Sequence, residues 1–254
     1  DFPQSHLDFL RKRDVDLRGL ETLAGKTFHW KGRYGFDLNS AETLATELNV
    51  LSEFSPKIPV ELRQHEFVFL ANIHPALQIK VLEQVQKPKL AALDTMNFWI
   101  QGEPDLLRKA ISRVNLVVVN EGEARQLTRE SSLLKAARQI QLLGPQIVVI
   151  KQGEYGALLF HGDEIFSAPG LPIEEVKDPT GAGDSFAGGM MGFLSRVGQV
   201  DVHTLRQAII VGSAMASFNV EDFSCDRLKR LTLSEIERRV SLFKKLSHFE
   251  EIKL

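Results

Sequence analysis

Short apolar segments alternate with segments of helical periodicity through most of this chain, and this alternation limits the folds available to it. Four apolar segments predict buried strands, at residues 67–72, 89–94, 115–120 and 146–151. Helical spacing follows each of the first three, and a predicted hairpin follows the fourth. Buried strands that alternate with helices form a mostly parallel sheet covered on both faces. The sequence therefore predicts an α/β fold.

Residues 27–50 interrupt this alternation. Residues 27–34 are rich in aromatic and β-branched side chains and predict a strand. Residues 42–50 leave two readings open, because their composition suits a helix, whereas the alternation of Leu44, Thr46 and Leu48 suits a second strand. Because the chain contains no internal repeat, low-complexity tract or linker, we predict a single domain over residues 1–254, with a small β appendage at 27–50.

The composition excludes several classes of protein. The 31 Lys and Arg residues nearly balance the 33 Asp and Glu residues, and a net charge of −2 argues against a nucleic-acid-binding surface. The single cysteine, Cys225, cannot form an internal disulfide. No apolar run approaches the ~20 residues that span a bilayer, and the first residues do not resemble a signal peptide. We therefore expect a soluble, cytoplasmic protein with no nucleic-acid or membrane partner.

Polar residues end the four predicted strands: Asn72, Asp94, Asn120 and Lys151. In an open parallel sheet, ligands bind beyond the carboxyl ends of the strands, so each of these residues is a candidate for a binding site. The alternative is that each residue caps the helix that follows it.

The segment 178–189, DPTGAGDSFAGG, carries the strongest chemical signal. Small residues at 181–183 leave backbone N–H groups accessible where a helix begins, and a helix N-terminus favours an anion. Asp184 lies in the first turn beside that position, where a carboxylate can take a proton from an attacking hydroxyl. The alternative is that Asp184 is a favourable first-turn acid and that the glycines permit close helix packing.

Segment 178–189 resembles the C-terminal signature of the PfkB family of carbohydrate kinases, except that Pro179 replaces the usual Thr. Two further segments resemble family motifs in the expected order, Asn120-Glu121-Gly122-Glu123 and Lys151-Gln152-Gly153-Glu154-Tyr155-Gly156. The resemblance implies a ribokinase-like, three-layer α/β/α fold with a mostly parallel central sheet and a small β lid. It also implies a kinase that uses ATP and Mg²⁺.

The same resemblance implies a role for each matching residue. Asp184 would be the catalytic base, and the anion hole would consist of Gly181, Ala182 and Gly183. Asn120 and Glu123 would serve the phosphates and Mg²⁺, with Glu123 acting on the metal indirectly. The nucleotide would be lined by Lys151, Gly153 and Gly156. Asp178 and Thr180 match positions that hold a monovalent cation such as K⁺ in some members.

Family members normally begin with a strand, a Gly-Gly motif and a helix that carry much of the sugar site, and no segment here matches them. We therefore expect the sequence to be incomplete at its start. Residues 27–50 correspond to the family's lid, whose aromatic residues would contact the substrate or a second subunit, or pack on the sheet. The chain would accordingly be a monomer or a homodimer through the lid.

The function implied is transfer of the γ-phosphate of ATP to a hydroxyl of a sugar or nucleoside. The alternative is a non-catalytic regulator that binds sugars or nucleotides on the same fold.

Overall fold

The computed structural model describes residues 1–36, 38, 41–248, 250 and 252. The chain divides into two compact units, one formed by Asp1–His65 with Ile79–Gln86 and the other by Glu66–Gln78 with Lys87–Leu254. None of the helices in the described ranges is long and apolar enough to cross a membrane. The prediction of a single domain over 1–254 stays a prediction.

The first unit contains helix α1 (Gln4–Lys12) and a hairpin of two antiparallel strands, β1 (His29–Tyr34) and β2 (Ala41–Glu47). Pairing with β1 makes 41–47 a strand, and a short 3₁₀ helix, Asn49–Glu53, follows it. Residues 37, 39 and 40 of the predicted 27–50 segment lie outside the described residues. That this hairpin is a lid, or joins two subunits, stays a prediction.

Trp30 packs within this hairpin. Its indole Nε1 donates to Thr43 Oγ1 over 3.2 Å, across the two strands. Its ring lies over Gly32, where an added Cβ would come within 2.2 Å of it. Gly32 adjoins the irregularity in the β1–β2 register, so the glycine leaves the space that the indole fills.

The second unit contains a six-stranded sheet in the order β3 (Phe67–Leu70), β4 (Leu90–Asp94), β5 (Leu116–Asn120), β6 (Ile147–Lys151), β7 (Gly156–His161) and β8 (Glu164–Pro169). The first four strands are parallel, and β7 and β8 run antiparallel as the predicted hairpin. The prediction of a mostly parallel sheet is confirmed.

The remaining helices, some of which cover both faces of this sheet, are α2 (Pro75–Leu82), α3 (Asn97–Gly102), α4 (Pro104–Ile111), α5 (Glu121–Thr128), α6 (Leu133–Leu142), α7 (Ala182–Val197), α8 (Val202–Asn219), α9 (Asp226–Lys229) and α10 (Leu233–Leu246). Alternate residues of β4, β5 and β6 pack with α7 and α8 in one apolar cluster. The intervening strand residues are also buried, and α5 and α6 contact β5 and β6. Because successive side chains of a strand point to opposite faces, the fold has three layers.

Candidate active site

The carboxyl ends of the parallel strands bring candidate residues together. Asn120 at the end of β5 is paired with Lys151 at the end of β6, and Asp94 ends the neighbouring strand β4. The Lys151 ammonium lies 3.4 Å from Asp94 Oδ2, and these side chains are only 18% and 7% exposed. A partly buried ion pair therefore forms at the edge of the sheet where a ligand is expected.

The 178–184 turn precedes α7 and is held from both sides. Gly181 adopts a left-handed φ of 81°, which favours glycine, and its carbonyl accepts from Ser185 N over 2.8 Å as the helix begins. Asp178 Oδ1 accepts from Thr180 N over 2.9 Å, and its Oδ2 accepts from Ser224 N over 3.0 Å. Although partial burial opposes it, the hydrogen bonds from Ser224 and Thr180 lower the pKa of Asp178.

Asn219, at the end of α8, also holds this turn, although it belongs to none of the sequence motifs. Its side chain is 2% exposed. Its Nδ2 donates to Thr180 O over 2.8 Å, and its Oδ1 accepts from Ser185 Oγ over 2.9 Å. One buried amide therefore joins the residues on either side of Gly181–Asp184. No local pattern around Asn219 signals this role, because its partners lie more than thirty residues earlier in the chain.

Lys151 and the 178–184 turn meet at Gly183. A Cβ added to Gly183 would lie 3.0 Å from Lys151 Nζ, so the ammonium packs directly against this glycine. A cation from β6 therefore lies beside the N-terminus of α7, and both favour bound negative charge. Asp184 is exposed in the first turn of the same helix.

The acidic groups around Lys151 influence one another. Burial raises the pKa of Asp94, and the negative charge of Asp184 adds to this rise. The Lys151 ammonium and the Thr95 N–H act in the opposite direction but do not cancel it. Burial also raises the pKa of Glu123, to about 7, against the opposing effects of Lys151 and the Asn120 N–H, and Asp94 adds to the rise. These interactions connect charged groups of β4, β6, α5 and α7 in one electrostatic cluster.

Asn120 and Glu123 form a reciprocal cap at the start of α5. Asn120 Oδ1 accepts from Glu123 N over 2.8 Å, and Glu123 Oε2 accepts from Asn120 N over 2.7 Å. The capping alternative is therefore correct for Asn120, and Glu123 completes the cap. It does not exclude a role with Mg²⁺, because the cap uses one carboxylate oxygen of Glu123. One carboxylate combined with nucleotide phosphates and water suits the coordination of Mg²⁺.

The turn after β6 contains the other predicted nucleotide residues. Gly153 begins a short 3₁₀ turn with a φ of 58°, and Gly156 follows with a φ of 105°. Gln152 N donates to Gly156 O over 2.8 Å and closes the turn. Gly156 is also required by packing, since an added Cβ would lie 2.1 Å from Ala168 O.

Comparison with known proteins identifies the family. Residues 1–230 match the model of the pfkB family carbohydrate kinases. The chain belongs to this family. PfkB membership confirms the expected phosphotransferase class, and the roles of individual site residues stay predictions.

Individual PfkB-family and ribokinase-family proteins are similar over much of the chain. A cytidine kinase from Thermococcus kodakarensis is 35% identical over 202 residues, which cover 77% of this chain and 71% of the relative. A nucleoside kinase from Methanocaldococcus jannaschii is 28% identical over 160 residues, which cover 63% of this chain and 50% of the relative.

The crystal structure of that nucleoside kinase, a member of the ribokinase family, matches with a TM-score of 0.73. The match covers 93% of this chain and 76% of the other at 22% identity. The predicted ribokinase-like fold is therefore confirmed.

Proposed function

We propose that this PfkB-family protein transfers the γ-phosphoryl group of ATP to a hydroxyl of a sugar or nucleoside, with Asp184 as the general base. The observation that carries this proposal is the packing of the Lys151 ammonium against Gly183, at the N-terminus of the helix that presents Asp184. Positive potential and a carboxylate then lie side by side, as phosphoryl transfer to a hydroxyl requires.

The residues divide the work of this reaction. Asp184 takes the proton of the acceptor hydroxyl, and the hydroxyl oxygen forms a bond to the γ-phosphorus. At the same time the bond from that phosphorus to the β-phosphate oxygen breaks and releases ADP. Gly181, Ala182 and Gly183 leave room for the phosphoryl group at the helix N-terminus, and Lys151 balances its charge. The remaining nucleotide contacts would come from Asn120, Gly153 and Gly156.

Glu123, whose second carboxylate oxygen is not used by the cap, would help to hold Mg²⁺, and the metal would supply positive charge to the nucleotide phosphates. Asp178 and Thr180 would offer oxygen ligands to a monovalent cation. Both residues already order the turn, so this cation is the part of the proposal that needs its own test. Omitting K⁺ from the assay and titrating it back supplies that test.

Asp184→Asn tests the base directly. The variant keeps the shape of the side chain but cannot accept the proton, and turnover is expected to fall by ~10²-fold or more while ATP binding is retained. Turnover is measured as ADP released with Mg²⁺, ATP and a panel of sugars and nucleosides. Asp163→Asn, at the exposed tip of the β7–β8 hairpin, is the matched control and should leave turnover unchanged.

Near-normal turnover in Asp184→Asn would end the assignment of Asp184 as the base. Binding of an acceptor and ATP by the unaltered protein without any ADP release would instead support a non-catalytic regulator.

A further inference from the structure

Three aromatic side chains, His74, Phe98 and Trp99, lie with Asn72 at the carboxyl ends of β3 and β4. We call these four residues the aromatic cluster. Asn72 follows β3 by two residues, and Phe98 and Trp99 lie in the first turn of α3, just after β4. The ring centroids of His74 and Trp99 are 5.0 Å apart, and Phe98 packs edge-on against Trp99 at 4.7 Å with an interplanar angle of 80°. The cluster therefore joins two neighbouring strand ends on the side of the sheet where ligands bind.

The inner members of the aromatic cluster are held by hydrogen bonds. Trp99 Nε1 donates to Asn72 Oδ1 over 3.0 Å. His74 Nδ1 accepts from Ala76 N over 3.1 Å, and its Nε2 faces the Glu103 carboxylate at 3.7 Å. Each ring that supports Phe98 is thus fixed in orientation, whereas Phe98 itself is 57% exposed.

The hydrogen bond to Trp99 also determines which way the Asn72 amide points. An indole N–H can only donate, so Asn72 must turn its oxygen to Trp99 and its NH₂ group away from it. Asn72 is exposed, and its NH₂ group donates to no other protein group in the described ranges. The aromatic cluster therefore presents an exposed ring face together with a hydrogen-bond donor.

The cluster is also close to the proposed reaction site along the chain. Phe98 follows Asp94 by four residues, which span at most about 15 Å. Asp94 pairs with Lys151, and Lys151 packs on Gly183 beside Asp184. An acceptor with its reacting hydroxyl at Asp184 would therefore need a second, flat group beyond its sugar ring to make use of Phe98.

We propose that Phe98 and the Asn72 NH₂ group recognise the base of a nucleoside acceptor. This inference rests on the proposed kinase function and names its substrate class. The base stacks on the Phe98 ring, and a carbonyl oxygen of the base accepts from Asn72 Nδ2. A free sugar reacts at the same hydroxyl position but lacks the flat group, so the aromatic cluster distinguishes the two classes of acceptor.

The test compares acceptors and variants in the full chain. Phe98→Leu keeps an apolar side chain but removes the ring, and it is expected to raise the KM for nucleosides by roughly tenfold or more. It should leave kcat and KM for ribose unchanged. Phe98→Tyr keeps the ring and should retain the KM of the unaltered protein for nucleosides. Leu142→Ala, which shortens an exposed apolar side chain at the end of α6, is the control.

Asn72→Asp tests the amide separately. The carboxylate still accepts from Trp99 Nε1, but it offers no donor to the base, so the KM for nucleosides with a base carbonyl should rise while that for ribose stays constant. Equal effects on nucleosides and ribose, or no effect of either variant, would overturn the inference.

Phosphorylation of free sugars but of no nucleoside would also overturn it and would leave the kinase proposal intact. If no acceptor causes release of ADP from ATP, the kinase proposal fails. Calorimetric titration of nucleosides into the unaltered protein and into Phe98→Leu then still tests the aromatic cluster. Equal affinity in that titration would refute it.

Discussion

Glu123→Gln is expected to stabilise the ligand-free protein, and to do so more at alkaline than at acidic pH. Burial raises the pKa of Glu123 from 4.5 to about 7. The unfolded chain releases this proton near pH 4.5 and the folded chain near pH 7, so the folded state binds more protons between these values. The free energy of unfolding therefore falls as the pH rises through this window.

The size of the effect follows from the two pKa values. Between pH 5.5 and 8.5, ionisation of a group with these values lowers the free energy of unfolding by about 2 kcal/mol. Gln does not titrate, has the same shape and still offers an oxygen to Asn120 N. The stability gain of Glu123→Gln should thus be about 2 kcal/mol larger at pH 8.5 than at pH 5.5.

Urea unfolding at both pH values, without nucleotide or Mg²⁺, measures this difference. Glu123→Ala is the control. It also removes the titrating group, so it should show the same pH-dependent gain in stability. Because it removes the cap as well, its free energy of unfolding should be about 1 kcal/mol lower than that of Glu123→Gln at both pH values. In the kinase assay, Glu123→Gln should need more Mg²⁺ for half-maximal rate, since the metal loses a charged partner. A stability gain of the same size at both pH values would refute the reasoning.

Two further substitutions test the packing of the site. Gly156→Ala is expected to lower the free energy of unfolding by clearly more than Gly162→Ala. Both glycines have positive φ, but only Gly156 would place a Cβ against a backbone oxygen, at 2.1 Å. Equal losses of stability in urea unfolding would contradict this. Asn219→Leu removes the partner of the Thr180 carbonyl and of the Ser185 hydroxyl, which are both in partly buried hydrogen bonds, at about 1 kcal/mol for each bond. It should also lower kcat by loosening the turn before Asp184, and an unchanged kcat would show that Asn219 does not position that turn.

Local patterns in the sequence were sufficient for the main elements of the fold. The buried strands carry uninterrupted apolar residues because both of their faces are covered, and such continuous runs are recognisable in the sequence alone. The 178–184 turn is also encoded locally, since a glycine with positive φ and a helix start depend on neighbouring residues. No local pattern marks helix α3, because its six residues are too few to establish a helical period.

The sequence alone thus determined the class of fold, the order of the strands along the chain and the residue types at the anion-binding turn. The tertiary structure decided which of these residues meet. The Asp94–Lys151 pair joins residues that are 57 positions apart, and Asn219 reaches the turn from 34 to 39 positions away. The tertiary structure also decided that 41–47 is a strand, because β1 supplies its hydrogen-bond partners. Hydrophobic periodicity and turn chemistry depend on near neighbours, whereas these contacts depend on the order of strands in the sheet and on helix packing, which no local pattern records.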